Sequence, residues 1–449
     1  MIQGERIMKL NDKPVATNKY VLYWMQQAQR SEYNHALEYA IDQANKVNKP
    51  LIVCFGLTDN FPEANERHYY FMLEGLRETT KSLSARGIKM VIQHGSPEIV
   101  AAKLAQDACA VITDCGYLKI QRRWRDYIAR NAPCLVTQVE TDVVIPVTST
   151  STHQEYSAAT IRKKIQKKLN NFLIPVRKIN IKNHSLHLRF KDFPVNDTQR
   201  AIRALKIDRS VARVVVCHGG TSVAKELLRS FINKKLSRFP DERNDPSKNM
   251  VSSMSPYLHF GQISPLYIAL QVMAAKSPGT NAFLEELIVR RELSMNYVFY
   301  NRQYDSLEGL PEWAQTTLKV HKKDRRPYAY GLSQLEHAET HDKYWNAAQT
   351  EMLQYGKMHG YMRMYWGKKI IEWTKDPSQA FKIALYLNNK YELDGRDANG
   401  YTGVAWCFGK HDRPWPERKI FGKVRYMNAE GLRRKFKIDS YVNGVLQNV

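Results

Sequence analysis

The chain has no run of 18 apolar residues, so no membrane-spanning helix is expected. Its N-terminus, MIQGERIMKLNDKPVATNKY, has no apolar core of the kind a secretory signal needs. The six cysteines (Cys54, Cys109, Cys115, Cys134, Cys217, Cys407) are scattered, and no C-x-x-C or H-E-x-x-H occurs. They read as reduced core residues of an intracellular protein, and neither a disulfide framework nor a metal site is expected. The glycine fingerprint G-x-G-x-x-G follows none of the candidate strands, so a nicotinamide dehydrogenase is not supported. Acidic residues are also few. Against 68 Lys+Arg there are 44 Asp+Glu, a net charge of +24. Such an imbalance points to a polyanionic partner, nucleic acid first and an anionic membrane second.

What is present divides the 449 residues in two. Continuous apolar runs at Tyr20–Met25, Leu51–Leu57, Lys89–Gln93, Ala110–Thr113 and Leu135–Val139 alternate with helical stretches at about 31–47, 63–86, 97–107 and 118–131. This predicts a doubly wound α/β domain over 1–160, with a five-stranded parallel sheet that is Rossmann-like in wiring only. Residues 161–221 are strongly basic with weak periodicity. They read either as a solvated charge run or as a linker within reach of a phosphate backbone. From 222 to 449 helices dominate, notably Ala224–Leu236, Phe283–Tyr300, Ala347–Leu353 and Tyr361–Thr374. Ser255-Pro256 and Ser264-Pro265 read as N-cap and first-turn pairs.

Five of the eight tryptophans fall between His341 and Tyr426, interleaved with Arg363, Arg396, Arg413, Arg418 and Arg425 and with Asp394, Asp397 and Asp412. Unpaired charge is costly to bury, so this mixture asks for a planar or anionic partner. Trp366 and Trp373 lie seven residues apart on one helix face, with rings separated by about 10 Å along the axis. They are either ordinary packing or, with Trp345, a path for one-electron hops beside a redox cofactor. Ser252, Ser253 and Ser255 precede a helix N-terminus and either cap it or hold a phosphate. Asp394 and Asp397, in the loop ELDGRDANG, either bind sugar hydroxyls or pair with arginine.

The segments SKNMVSSMSPYLHFGQIS, FLEELIVRREL, THDKYWNAAQ, GKMHGYMRMYW, YELDGRDANGYTGVAW and GKVRYM resemble the class II cyclobutane pyrimidine dimer photolyases of the photolyase/cryptochrome family. The N-terminal YWMQQAQR is similar as well. The resemblance keeps order and spacing through the second half of the chain. It implies an antenna-type α/β domain and a helical domain that binds FAD, fully reduced in the active form. A second, light-harvesting chromophore of unassigned identity would belong to the first domain. The implied activity is that of a lyase: light-driven repair of pyrimidine dimers in double-stranded DNA, by electron transfer to a flipped-out dimer and back. The chain would act as a monomer wherever DNA is, in nucleus or cytoplasm.

Residue by residue, Arg363 and Asp394 match a salt bridge beside the flavin, and Asn388 matches an amide facing flavin N5. Ser252, Ser255 and Gln262 lie in the FAD-binding segment. Trp366, Trp345 and Trp373 match, from the flavin outward, the chain of indoles that photoreduces it. Glu286 matches an acid at the damaged bases, and Met364 and Trp406 match apolar walls of the lesion pocket. Arg243, Asn244, Arg413 and Arg425 match groups near the lesion or its DNA. Phe239 stands where an aromatic with a hydroxyl is expected, one polar contact fewer. A cryptochrome-like photoreceptor without repair activity, and a flavin-free DNA-binding protein, are the alternative readings.

Overall fold

A computed structural model describes residues 2–447. The five expected strands form as β2 (Tyr20–Trp24), β3 (Leu51–Leu57), β4 (Lys89–His94), β5 (Ala108–Asp114) and β6 (Leu135–Val139), all parallel. A sixth strand, β1 (Ile7–Lys9), is added antiparallel to β6, with Ile7 opposite Val139. Three largely exposed residues carry too little pattern to announce a strand; β1 forms because the β6 edge offers it a ladder. The sheet order is β1-β6-β5-β2-β3-β4.

β2, β3 and β5 are buried at every position, as a sheet covered on both faces requires. Alternate residues divide between two cores. Val21 and Tyr23 pack with α1 (His35–Lys46) and α2 (Glu66–Ser84). Leu22 and Trp24 pack with α3 (Pro97–Ala105) and α4 (Lys119–Asn131). The strand order reverses between β2 and β5, and Asp114 at the end of β5 pins the chain leaving β2. Its carboxylate accepts the backbone N–H groups of Gln26 and Gln27 at 2.9 Å and of Ala28 at 2.6 Å.

The basic segment begins as α5 (Ala158–Phe172), which buries Ile161, Ile165 and Phe172 and ties Arg162 to Glu285 of the second half at 2.6 Å. The chain then runs along the outer edge of the sheet. Lys89 donates its N–H to Ser185 Oγ at 2.7 Å, and Phe193 donates its own to the Ile92 carbonyl at 2.6 Å. An edge strand that would otherwise present unpaired amides is thereby covered.

The second half contains α6 (Thr221–Lys234), α7 (Ser255–His259), α8 (Pro265–Ala274), α9 (Thr280–Leu284), a π-helical turn (Glu285–Arg290) and α10 (Arg291–Tyr300). The site-bearing helices are α11 (Lys343–Tyr355), α12 (Gly360–Trp373), α13 (Pro377–Tyr391) and α14 (Ala398–Cys407). Asp342, His359, Asp376 and Asp397 cap them in turn, each accepting a first-turn N–H. Ser264 caps α8 as expected, whereas α7 starts one residue early, with Met254 at the cap position and Ser255 inside the helix. Arg67 of α2 joins the halves by donating to the carbonyls of Met352, Leu353 and Tyr391, the last turns of α11 and α13.

Candidate active site

The inner side of the site is built where α12 meets the turn after α13. Arg363, one turn into α12, faces two carboxylates: Glu392 at 3.0 Å and Asp394 at 3.4 Å. One guanidinium between two buried acids drives their protonation apart. Burial pushes Glu392 well above the usual carboxylate range, and neighbouring Asp394 adds to this against the pull of Arg363. Burial alone would raise Asp394 too, but Arg363 and the Ser255 hydroxyl outweigh it and hold Asp394 at about 2. Asp394 is therefore the ionised partner. Asn388 is buried beside this group and donates to Asn389 Oδ1 at 3.2 Å. Asn389 in turn donates to Glu63 of the α/β domain at 2.6 Å. Gly400 of α14 comes so close that a Cβ there would sit 3.0 Å from the Asn388 amide nitrogen.

Behind α12 the indoles line up. Trp366 and Trp345 are stacked, with centroids 6.3 Å apart and planes 6° from parallel. Trp345 meets Trp373 edge-on at 5.4 Å. The two indoles of α12 are thus bridged by Trp345 of α11, and all three are buried. Trp366 Nε1 donates to Gln349 at 2.8 Å and Trp345 Nε1 to the Trp366 carbonyl at 3.0 Å, which fixes both ring planes.

The outer side is open and cationic. Glu286 lies in the π turn, 3.5 Å from Arg243 and 3.3 Å from Arg290. Arg290 also lies over the Trp406 ring at 5.8 Å, and His411 meets that ring at 5.4 Å. Met364 reaches Cys407 Sγ at 3.9 Å, which brings α12 and α14 together beside Trp406. Lys368, fully buried, donates to the Cys407 carbonyl, and burial draws its ammonium down to about 8. Farther out, Arg413 and Arg425 lie over the Trp415 ring at 5.9 and 5.2 Å, and Arg418 over Tyr426 at 3.4 Å.

Over 446 residues the chain is 54% identical to the deoxyribodipyrimidine photo-lyase of Methanothermobacter thermautotrophicus, covering 99% of both chains. It is 41% identical to the protein of the same name from Potorous tridactylus, over 94% of this chain and 80% of that one. The DNA photolyase family model matches residues 21–181. The chain belongs to the DNA photolyase family. Its fold agrees with that of the archaeal photolyase from Sulfolobus tokodaii with two FAD molecules, at a TM-score of 0.72, 15% identity, and coverage of 94% of this chain and 89% of that one.

Members of the photolyase/cryptochrome family bind FAD. The inner cluster of this photolyase chain fits such a group. Arg363 Nε and His359 Nε2 are buried without a hydrogen-bond partner among the described residues, and a Cβ on Gly403 of α14 would meet open space. Ser252 Oγ accepts the Met254 N–H at 3.4 Å, and Ser253 adopts a left-handed φ of 57°, which turns the chain into α7 at this cluster. Gln262 is drawn elsewhere. Its oxygen accepts the Gly220 N–H at 2.6 Å and its amide donates to the Phe71 carbonyl at 3.2 Å, so the side chain ties α2 to the start of α6. Asn244 is exposed beside Arg243, and Arg413 is exposed in the loop of Trp415.

Three residues escaped the sequence reading. Glu392 stands two positions before Asp394, and the sequence gives no sign of which acid Arg363 takes. Arg290, in the run VRREL, ends the π turn and lies beside Trp406, a neighbour from α14 that the sequence does not announce. Gln349, in WNAAQ, one turn after Trp345, is recognisable only once Trp366 is placed against it. A cavity lies between the two halves at the strand-order reversal, lined by Trp24, Phe55, Gln121, Trp124, His259 and Arg396 among others. It encloses about 990 Å³ of free space, part of it open to solvent.

Proposed function

We propose that the chain is a light-driven lyase of the class II type that repairs cyclobutane pyrimidine dimers in double-stranded DNA, with FAD at the inner cluster. The observation that carries this reading is the position of α12. One helix places Arg363 toward the acid cluster, Met364 toward Cys407 of α14, and Trp366 toward the buried indoles. The class II assignment is supported by the motif run from YELDGRDANGYTGVAW to GKVRYM. The chain divides functionally at about 160 and 221, as its composition suggests.

Arg363, Asp394, Asn388, Ser252 and Ser255 would hold the cofactor. When bound and fully reduced, FAD supplies on excitation the electron that splits the cyclobutane ring and recovers it afterwards. The rest is the work of this chain. Arg363, kept charged by ionised Asp394, favours an anionic ring beside it. Asn388 is held by the Asn389–Glu63 relay so that its amide carbonyl stays free to face the ring. Trp406 and Met364 form the apolar slot that an extruded dimer needs, and Glu286 accepts hydrogen bonds from base edges. Arg243 and Asn244 stand at the rim of that slot. Arg413 and Arg425 neutralise phosphates or fill the gap the dimer leaves in the duplex. The cavity between the halves is the place for a second, light-harvesting chromophore, because aromatic walls there adjoin a few convergent polar groups.

The test is a dimer-repair assay with purified, flavin-loaded, reduced protein on damaged duplex, in light and in darkness. Dimers disappear in light alone. Photoreduction of the flavin without loss of dimers would favour a photoreceptor instead.

A further inference from the structure

The loop that carries Arg413, Trp415 and Arg425 is held from behind by a helix that the site does not otherwise use. That helix, Glu312–Val320, runs into a turn at His321–Lys323. The loop folds back on itself. The Trp415 N–H donates to the Lys423 carbonyl at 2.8 Å, and Arg418 and Gly422 exchange backbone bonds at 3.1 and 2.8 Å. Its inner turn lies against the helix: the Lys423 N–H donates to Thr317 Oγ1 at 3.0 Å, and the Ile420 N–H to Asp324 Oδ2 at 2.6 Å. Gly422 has a left-handed φ of 54°, and a Cβ there would sit 2.0 Å from Thr317 Oγ1 and 2.7 Å from the His321 ring.

His321 stands at the centre of this contact. Its Nδ1 is 2.6 Å from Asp324 Oδ2, and its Nε2 is 2.9 Å from Glu417 Oε1 in the loop. A neutral imidazole carries one N–H and can serve only one carboxylate, so both bonds together require the imidazolium. The Ile420 N–H and His321 hold Asp324 below the usual carboxylate range, and the two acids, Asp324 first, raise His321 above its ordinary value. The neighbouring cations are engaged elsewhere. Arg326 donates to the carbonyls of His321, Lys322 and Asp324, Lys322 reaches Asp376, and Arg418 lies over Tyr426. From Arg413 to Arg425 the loop carries five cations and one acid, Glu417. An uncompensated carboxylate there would repel the phosphates that the cations attract.

We propose that protonated His321 is a clasp that positions the loop for damaged DNA, joining Asp324 behind the loop to Glu417 within it. This rests on the proposed placing of Arg413 and Arg425 at the duplex. His321 is a positioning residue: it touches neither base nor phosphate and acts through Glu417. When the imidazole loses its proton, one of the two bonds opens, and Glu417 regains its full charge among the cations. The folded imidazole keeps its proton to a higher pH than the unfolded chain does. The clasp is therefore complete below about pH 6.5 and is lost as pH rises through the raised value.

The test is the affinity of the flavin-loaded full chain for dimer-containing duplex at fixed salt, followed from about pH 6 to about pH 9. Parent affinity falls several-fold across this range. Glu417→Gln flattens the fall, because a neutral imidazole can donate to Asp324 and accept from the new amide. His321→Leu binds several-fold more weakly than the parent at the acid end and lacks the step. Titrations shared by the three proteins cancel in the comparison. Histidine ring resonances give a readout without DNA: the His321 signal, assigned by its loss in His321→Leu, titrates above about 6.5 in the parent and lower in Glu417→Gln. Equal slopes in the parent and Glu417→Gln overturn the inference, and so does parental affinity in His321→Leu. Replacing Arg413 and Arg425 together by Ala separates the two levels. Unchanged affinity in that double variant would sink the placing of the loop on DNA, whereas a loss there combined with equal slopes refutes the clasp alone.

Discussion

The five tryptophans between His341 and Tyr426 fall into two groups with opposite surroundings. Trp366, Trp345 and Trp373 are buried, and each has another indole for a neighbour. Trp406 and Trp415 reach the surface, Trp415 with 38% exposure, and the groups over their rings are the guanidinium ions of Arg290, Arg413 and Arg425. On the proposed reading the same side chain serves two ends: an indole packed on other indoles would pass an electron to the next ring, and one beside arginine would offer an apolar face to a base while the cations meet phosphate. α12 separates the groups, and Arg363, between Glu392 and Asp394, holds that helix to the turn after α13.

The first way to break the comparison is to remove what holds the two sides in place. Arg363→Ala leaves the buried Asp394 carboxylate without its cation and is expected to cost about 3–5 kcal/mol of stability, read by urea unfolding. A loss below about 1 kcal/mol would show that the cluster does not fix α12. Next, Trp406→Ala is expected to weaken binding of dimer-containing duplex by about 2 kcal/mol, roughly 30-fold, with undamaged duplex unaffected. An equal loss on both duplexes would assign Trp406 to general DNA binding. A milder change sharpens the outer group. With Arg413 and Arg425 both replaced by Ala, the dependence of log affinity on log salt should flatten by about 2, on damaged and undamaged DNA alike.

The smallest effect concerns the histidines that border each side. Burial draws His359, beside the inner cluster, down to about 4 and His411, against Trp406, down to about 3. The unfolded chain takes up protons at these imidazoles near pH 6.5 while the folded chain does not. Stability therefore falls progressively as pH drops from about 6.5 toward 4. His411→Asn should reduce that slope in thermal melts, and an unchanged slope would show that His411 does not contribute to it.

Much of this arrangement was readable from residue order. The continuous apolar runs gave the parallel sheet because a strand buried on both faces leaves a pattern nothing else in the chain imitates. The seven-residue spacing of Trp366 and Trp373 placed them on one face of α12. It could not show that Trp345 fills the gap between them, since that depends on how α11 packs. FLEELIVRREL reads as one uninterrupted helix, and the π turn over Glu285–Arg290 is visible only in the backbone. Gln262 sits inside the segment that the family resemblance assigns to FAD binding, yet tertiary contacts with Gly220 and Phe71 use both ends of its amide. Side-chain type fixed which chemistry was available; packing decided which partner each group met.

The division of labour is tested most directly by following flavin photoreduction in Trp366→Phe and Trp406→Ala side by side, with dimer-DNA affinity measured on the same preparations. Trp366→Phe is expected to lose photoreduction while keeping its affinity and its repair after chemical reduction. Trp406→Ala is expected to photoreduce like the parent while losing affinity for the dimer. Parental photoreduction in Trp366→Phe, or its loss in Trp406→Ala, would contradict the separation of the two groups.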